Sequence, residues 1–163
     1  MTWNDAYPAG LLVVGPGEGQ PLAGPGPLSI IARQGWSDGH VLIFEQQVLP
    51  GTLMPAHHHT EETQGAYVLA GSIGFWVDGE EVVAGPGSYV VRPAGSVHAL
   101  WNAGTEVARM LEVTTPAERY QAFVLGLADL SAPEEIAAHA ARHGTHLDPD
   151  VTAELTARLG LER

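Results

Sequence analysis

The sequence predicts an all-β sandwich or barrel with a helical tail. Three observations carry this. Short apolar runs recur at a spacing of roughly eight to twelve residues from Leu28 to Val113, with no helical period between them. Turn signals separate them: Pro50-Gly51, Asp78-Gly79, Gly85-Pro86-Gly87 and Pro93-Ala94-Gly95. After Thr115 the pattern changes, and proline stands at positions where helices begin.

Taken in order, Met1–Gly10 carries no pattern and is expected to be a poorly ordered lead. Leu11–Val14 reads as a short strand. Gly15–Pro27 is rich in Gly and Pro and reads as an extended loop, a linker rather than a flap over a pocket. Strands follow at Leu28–Arg33 and Val41–Leu49, with a turn at Trp36–Gly39 between them. The stretch ending in His57-His58-His59 is extended, Thr60–Thr63 suits a turn, and Gln64 opens the apolar run Ala66–Ala70. Ser72–Val77 and Glu81–Ala84 flank Asp78-Gly79, a strong hairpin signal because glycine supplies the positive φ of a tight turn. Ser88–Val91, His98–Trp101 and Val107–Val113 complete the strands.

In the tail, Thr115-Pro116-Ala117-Glu118 and Ser131-Ala132-Pro133-Glu134 both read as capping boxes with proline at the first helical position. The first helix is expected over Pro116–Leu127, the second up to Gly144, and a third from Asp148-Pro149 to Leu159 before Gly160. The organisation expected is a lead and loop at 1–27, a β-barrel at 28–114 and a helical extension at 115–163, with the helices covering one side or end of the barrel.

Composition narrows function. The chain of 163 residues is long enough for one domain with its own core. A net charge of −12 with only seven Lys and Arg argues against nucleic acid and anionic membrane, which need clustered cations. No run of eighteen apolar residues is present, and the first residues lack the basic and apolar regions of a signal peptide. There is no cysteine, hence no disulfide framework or thiolate chemistry. These points favour a cytoplasmic protein.

Chemistry concentrates between Gly51 and Asn102. His57 and His59 are two apart, so on a strand both imidazoles share a face while His58 points away. Gln64, at the start of the next strand, can close on the same ion. His98, just after the Pro93–Gly95 turn, can complete the set from another strand. Neutral imidazole is a common metal ligand, and three His plus one oxygen donor leave coordination positions open for reaction. Such a set suits one divalent transition metal ion, with Fe, Mn, Ni, Co, Cu and Zn all eligible.

The spacing reads Gly51-x5-His57-x-His59-x4-Gln64-x6-Gly71, then Gly87-x5-Pro93-x-Gly95-x2-His98-x3-Asn102. These two stretches resemble the paired motifs of the cupin superfamily. The second is complete, and the first departs only at Gln64, where the family has Glu. The resemblance runs from about Leu11 to Arg142 and looks most like small single-domain cupins related to bacterial quercetin 2,3-dioxygenase. It implies a double-stranded β-helix (a jelly-roll barrel) with C-terminal helices, a metal-dependent activity and a homodimer.

Gln64 changes the chemistry expected. A carboxamide offers a neutral oxygen, so a divalent site keeps a formal +2 charge rather than +1. This favours Lewis acidity and disfavours an oxidised metal. Family glutamates have been assigned the deprotonation of a flavonol, and Gln64 cannot do that. Glu61 and Glu62 are out of register and read as a solvated turn. Glu112, in an apolar strand where relatives usually carry an aliphatic residue, faces either solvent or the cavity. Inside, burial would raise its pKa and make it a candidate catalytic base.

An apolar pocket suits a small, planar aromatic or polyketide-like substrate. Met54, Phe75, Trp101 and Met110 are the candidates to line it, with Phe44 and Tyr67 also available, although most of these residues read more readily as core than as substrate contacts. Three functions compete: a quercetinase-like dioxygenase acting on an enolisable aromatic molecule, a non-redox cyclase, isomerase or lyase, and a binding protein without turnover. Resemblance favours the first and Gln64 the second. His139 and His143, four apart on the second helix with Glu135 one turn earlier, could hold an ion, but a polar helix face is the plainer reading. His40 and His146 receive no role.

Overall fold

A computed structural model describes residues 10–22 and 27–161 of the chain. Most of the expected lead, and part of the Gly/Pro-rich loop, lie outside the described residues. The strands are β1 (Gln20–Leu22), β2 (Leu28–Ala32), β3 (Leu42–Val48), β4 (Leu53–His59), β5 (Thr63–Ala70), β6 (Ile73–Val77), β7 (Glu80–Ala84), β8 (Tyr89–Arg92), β9 (His98–Trp101), β10 (Ala108–Thr115) and β11 (Thr145–Leu147). The α-helices are α1 (Glu118–Gly126), α2 (Pro133–Arg142) and α3 (Pro149–Leu159).

All pairings are antiparallel and form two sheets, β1-β2-β3-β10-β5-β8 and β11-β4-β9-β6-β7. This is the expected double-sheet jelly roll. Alternation explains it locally. In β10, Ala108, Met110, Glu112 and Thr114 are buried while Arg109 and Thr115 are exposed. β3 repeats the pattern with Leu42, Phe44, Gln46 and Val48 inside. The β6–β7 hairpin turns at Asp78 and Gly79, with φ of 47° and 95°. Positive φ at both positions gives the turn a twist that matches its strands.

Three packed clusters position the rest. Val68, Ile73, Phe75, Leu100 and Met110 fill one end of the barrel. On the outer face of the second sheet, Leu53, Ala56, Ala99 and Trp101 receive Leu155 of α3. Beside the other end, Ile30, Leu42 and Phe44 pack with Ala117 and Val124, and Tyr120 and Phe123 of α1 join them. The helices therefore divide: α3 covers a sheet face, while α1 sits at the open end.

Several local expectations are corrected. Leu11–Val14 is not a strand; Leu11 and Val13 are exposed, and pairing begins instead at β1, inside the presumed loop. Trp36 belongs to a short 3-10 helix, Gln34–Ser37, rather than a plain turn. Neither expected capping box forms. Thr115 remains in β10, paired with Thr63, so α1 starts from Ala117 without a side-chain cap. Ala132, not Ser131, precedes α2. At α3 the reading holds: Asp148 accepts from the Val151 N–H, and Gly160 closes the helix at φ 64°. β11 was not foreseen. Among the described residues no helix is long and apolar enough to cross a membrane.

Candidate metal centre

β4 and β9 bring the three histidines together, with His57 directly opposite His98 in register. Ring centroids lie 4.5 Å apart for His57–His98, 4.9 Å for His57–His59 and 5.3 Å for His59–His98. One ring nitrogen from each falls within 4.8 Å of the others. His58 points outward, as strand alternation requires, and stacks on His146 of β11 at 5.0 Å.

The opposite edge of each ring is occupied. His57 Nδ1 lies 2.7 Å from the Pro55 carbonyl and His98 Nδ1 lies 3.0 Å from that of Ser96. A carbonyl can only accept, so both rings carry their proton on Nδ1 and present a lone pair at Nε2. His59 Nδ1 meets the Thr145 hydroxyl at 2.9 Å. His59 Nε2 and His98 Nε2 are buried without a hydrogen-bond partner. Burial pulls the imidazole pKa of His57 down to about 4 and that of His59 to about 2, and depresses His98 as well. Neutral rings, outer nitrogens tied back and unpartnered inner nitrogens on His59 and His98 fit a transition metal ion.

Gln64 is buried on the facing sheet, where its carboxamide neighbours His59 and the Tyr120 hydroxyl. Tyr120 also sets its ring edge-on to His59 at 5.1 Å. Burial, and then the carboxylate of Glu112, hold this phenol well above its ordinary pKa, so it stays protonated.

Glu112 is on the inner face of β10, 1% exposed, and ion-pairs with Arg92 of β8. Burial pushes its carboxyl up; the guanidinium opposes that shift. Register places Glu112 level with Ala66, and Arg92 level with Gln64, so the arginine crosses the intervening strand diagonally where the inner side chain is only a methyl. The guanidinium also lies 5.7 Å from the Phe75 ring centroid. Glu62 is not the solvated turn residue expected. It is buried and bonded to Arg119 Nε at 3.2 Å, because α1 folds back over this turn; Glu61 is the exposed member.

A cavity of about 230 Å³ opens between the metal site and α1. Its polar lining includes Gln46, His57, Gln64, Arg92, Glu112, Tyr120 and Thr145, and its apolar lining includes Leu28, Phe44, Met54, Leu100, Phe123 and Leu127. Of the expected pocket residues, Met54 and Phe44 line it. Met54 reaches the inside because a bulge between Met54 and His57 reverses the alternation of β4. Phe75 and Met110 do not: both face inward but fill the closed end. Trp101 is out of phase with His98 and Leu100 and packs outward near Leu155. Tyr67 is on the outer face, 41% exposed. His139 and His143 are used in helix packing: His139 Nε2 meets the Phe123 carbonyl at 3.0 Å, and His143 Nδ1 the His139 carbonyl at 2.9 Å.

Sequence reasoning missed Arg92, Tyr120 and Thr145. Arg92 had a signal, since it shares alternation with Val90. Tyr120 and Phe123 are three apart on a helix, a spacing that places both on one face. Thr145 had none.

Comparison with known proteins bears on the barrel. Residues 44–114 match the family of cupin domains. That stretch is a cupin domain. Over 87 residues, 53% of its length, the chain is 29% identical to quercetin 2,3-dioxygenase from Bacillus subtilis (strain 168). It spans only 26% of that protein's length. Among solved structures it is similar to a protein described as a predicted oxalate decarboxylase from Thermotoga maritima, with TM-score 0.53 and 21% identity over 55% of this chain and 78% of that one. It is also similar to KdgF from Halomonas sp., with TM-score 0.50 and 19% identity over 55% and 77%. These two likenesses are of fold.

Proposed function

We propose that this cupin-domain protein is a metal-dependent enzyme of the quercetinase-like dioxygenase type, acting on a small, largely apolar, enolisable molecule. The observation that carries the reading is the convergence of three neutral imidazoles, two of them (His59 and His98) with buried, unpartnered Nε2 atoms, beside a half-open, largely apolar cavity. His57, His59 and His98 would hold the ion, with the Gln64 oxygen as fourth donor. A divalent transition metal bound there supplies Lewis acidity and, if redox-active, a means of engaging dioxygen.

The chain's own residues do the rest. Gln64 adds no charge and takes no proton. Glu112 is the group able to accept one, as the only carboxylate among the described residues that line the cavity. Arg92 keeps a cation beside it whether the negative charge sits on Glu112 or on the ligand. Leu28, Phe44, Leu100 and Phe123 exclude water and accept a flat apolar body.

The neutral Gln64 favours a second reading, a non-redox cyclase, isomerase or lyase on the same metal. Oxygen-electrode traces with metal-loaded protein and a panel of flavonols and 1,3-diketones separate the two. Oxygen uptake matched to substrate loss supports the dioxygenase. Conversion under nitrogen moves the assignment to the second, and tight binding without product overturns both. For the homodimer that resemblance implies, the outer face of β5 and β8 exposes Tyr67, Leu69, Tyr89 and Val91, an apolar patch suited to a second copy.

A further inference from the structure

We infer that Arg92 and Glu112 form a second polar anchor in the cavity, apart from the metal ligands, for a ligand group that places a hydrogen-bond acceptor beside a donor. An enolised 1,3-dicarbonyl or a hydroxy-ketone has this arrangement. The inference deepens the functional reading above and rests on it only in using the same cavity.

Asn102 is the contrast: its Nδ2 donates to the carbonyls of Val48 and Glu106, and its Oδ1 accepts from the Gly104 N–H. Every polar atom of that side chain has a partner. Glu62 Oε2, Thr114 Oγ1 and Thr156 Oγ1 are buried without partners, but none of these residues lines the cavity. Arg92 and Glu112 are as deeply buried as Asn102, and one bond joins Arg92 to Glu112 Oε1, yet Arg92 Nε and Glu112 Oε2 have none. One of these atoms is an obligate donor and the other, in the carboxylate, an acceptor. Leaving both unpaired in apolar surroundings is unfavourable unless something else supplies the partners.

Both residues line the cavity, and the ring of Phe75 supports the guanidinium from the closed end of the barrel. A ligand that satisfies both atoms offers a carbonyl oxygen to Arg92 and a hydroxyl to Glu112. Neutral binding suffices; no proton need move. A plain carboxylate is disfavoured, because it offers Glu112 only repulsion. A hydrocarbon of the same shape leaves both atoms unpaired.

The test is a binding cycle on the zinc-loaded full chain. The probes are benzoylacetone, which is largely enolised, and its enol O-methyl ether, which lacks the donor. Titration by calorimetry is run on the wild type and on Arg92→Gln/Glu112→Gln, which removes both charges together. The wild type should prefer the free enol by about tenfold or more, and the double variant should lose that preference. A preference retained in the double variant assigns recognition of the hydroxyl to the metal and overturns the inference, as does its absence from the wild type. If the double variant does not fold, Glu112→Gln alone, whose oxygen stays with Arg92 and whose amide nitrogen can only donate to the ligand, must lose the same discrimination. If the wild type takes up no zinc, the metal reading fails, and the same cycle on the metal-free chain still decides the anchor.

Discussion

The two ends of the barrel are built from the same strands and differ in one step of the pleat. At the closed end the inner rows hold Met110 on β10, Leu100 on β9, Val68 on β5 and Val90 on β8, packed around Phe75. Two or four residues along the same rows stand Glu112, His98, Gln64 and Arg92, all buried. Inward direction is common to both ends; depth along the strand separates packing from chemistry. The closed end gives a rigid floor, and the polar groups sit on it where α1 rather than a sheet completes the enclosure.

That division of labour can be attacked from either side. His98→Ala should have the largest effect, removing stoichiometric metal and with it any metal-dependent activity. Elemental analysis of protein purified without added metal checks this, and a metal content equal to wild type would break the assignment. Phe75→Ala, at the floor, should instead cost stability, about 3–5 kcal/mol in urea unfolding, while the folded fraction still loads metal. If it abolished loading in folded protein, the two ends would not be separable.

Acid should act on the chemical end. In the metal-free protein the histidine pKa values lie below their unfolded value of 6.5, near 4 for His57 and about 2 for His59. The unfolded chain therefore binds more protons below pH 6.5. Stability present at neutral pH should fall as pH drops from 6.5 through about 4, and bound metal should oppose the fall. Melting curves with and without chelator across that window report it; a chelated protein whose midpoint does not fall between pH 6.5 and 4 would mean the imidazoles are not held neutral by burial. Thr145→Val should keep the fold but weaken metal affinity by roughly tenfold to a hundredfold, as loss of a partner behind a ligand does. Thr145→Ser should restore it in a competition assay. His58→Ala should change least, leaving metal content alone and stability within about 0.5 kcal/mol. A loss like that of His57→Ala would reverse the strand's alternation.

Much of this was legible in the sequence because it is local. The spacing of His57 and His59, the Asp78-Gly79 turn and the apolar alternation of β3 and β10 each depend on residues a few positions apart. What was not legible depends on depth and on the far partner. Phe75 and Met110 read both as core and as pocket residues, because an apolar side chain on a strand carries no measure of its distance from the mouth. Trp101 was misplaced although its phase against His98 was available. The side Glu112 faces was undecidable from one strand, since its counterion comes from β8 with β5 between them. Glu62 was expected in solvent because nothing near it announces Arg119. β11 is three residues between two helices, too short to show a period.

Thr145 reaches His59 across 86 positions of chain, from a strand that pairs along the ligand-bearing edge of β4. During synthesis the ribosome releases both halves of the histidine set well before this tether. A chain folded only as far as Thr115 would carry all three histidines and still lack the hydroxyl behind one of them and the aromatic roof from α1. The histidine cluster is thus finished only when α1 and β11 have packed against the barrel, a late tertiary event rather than a local one.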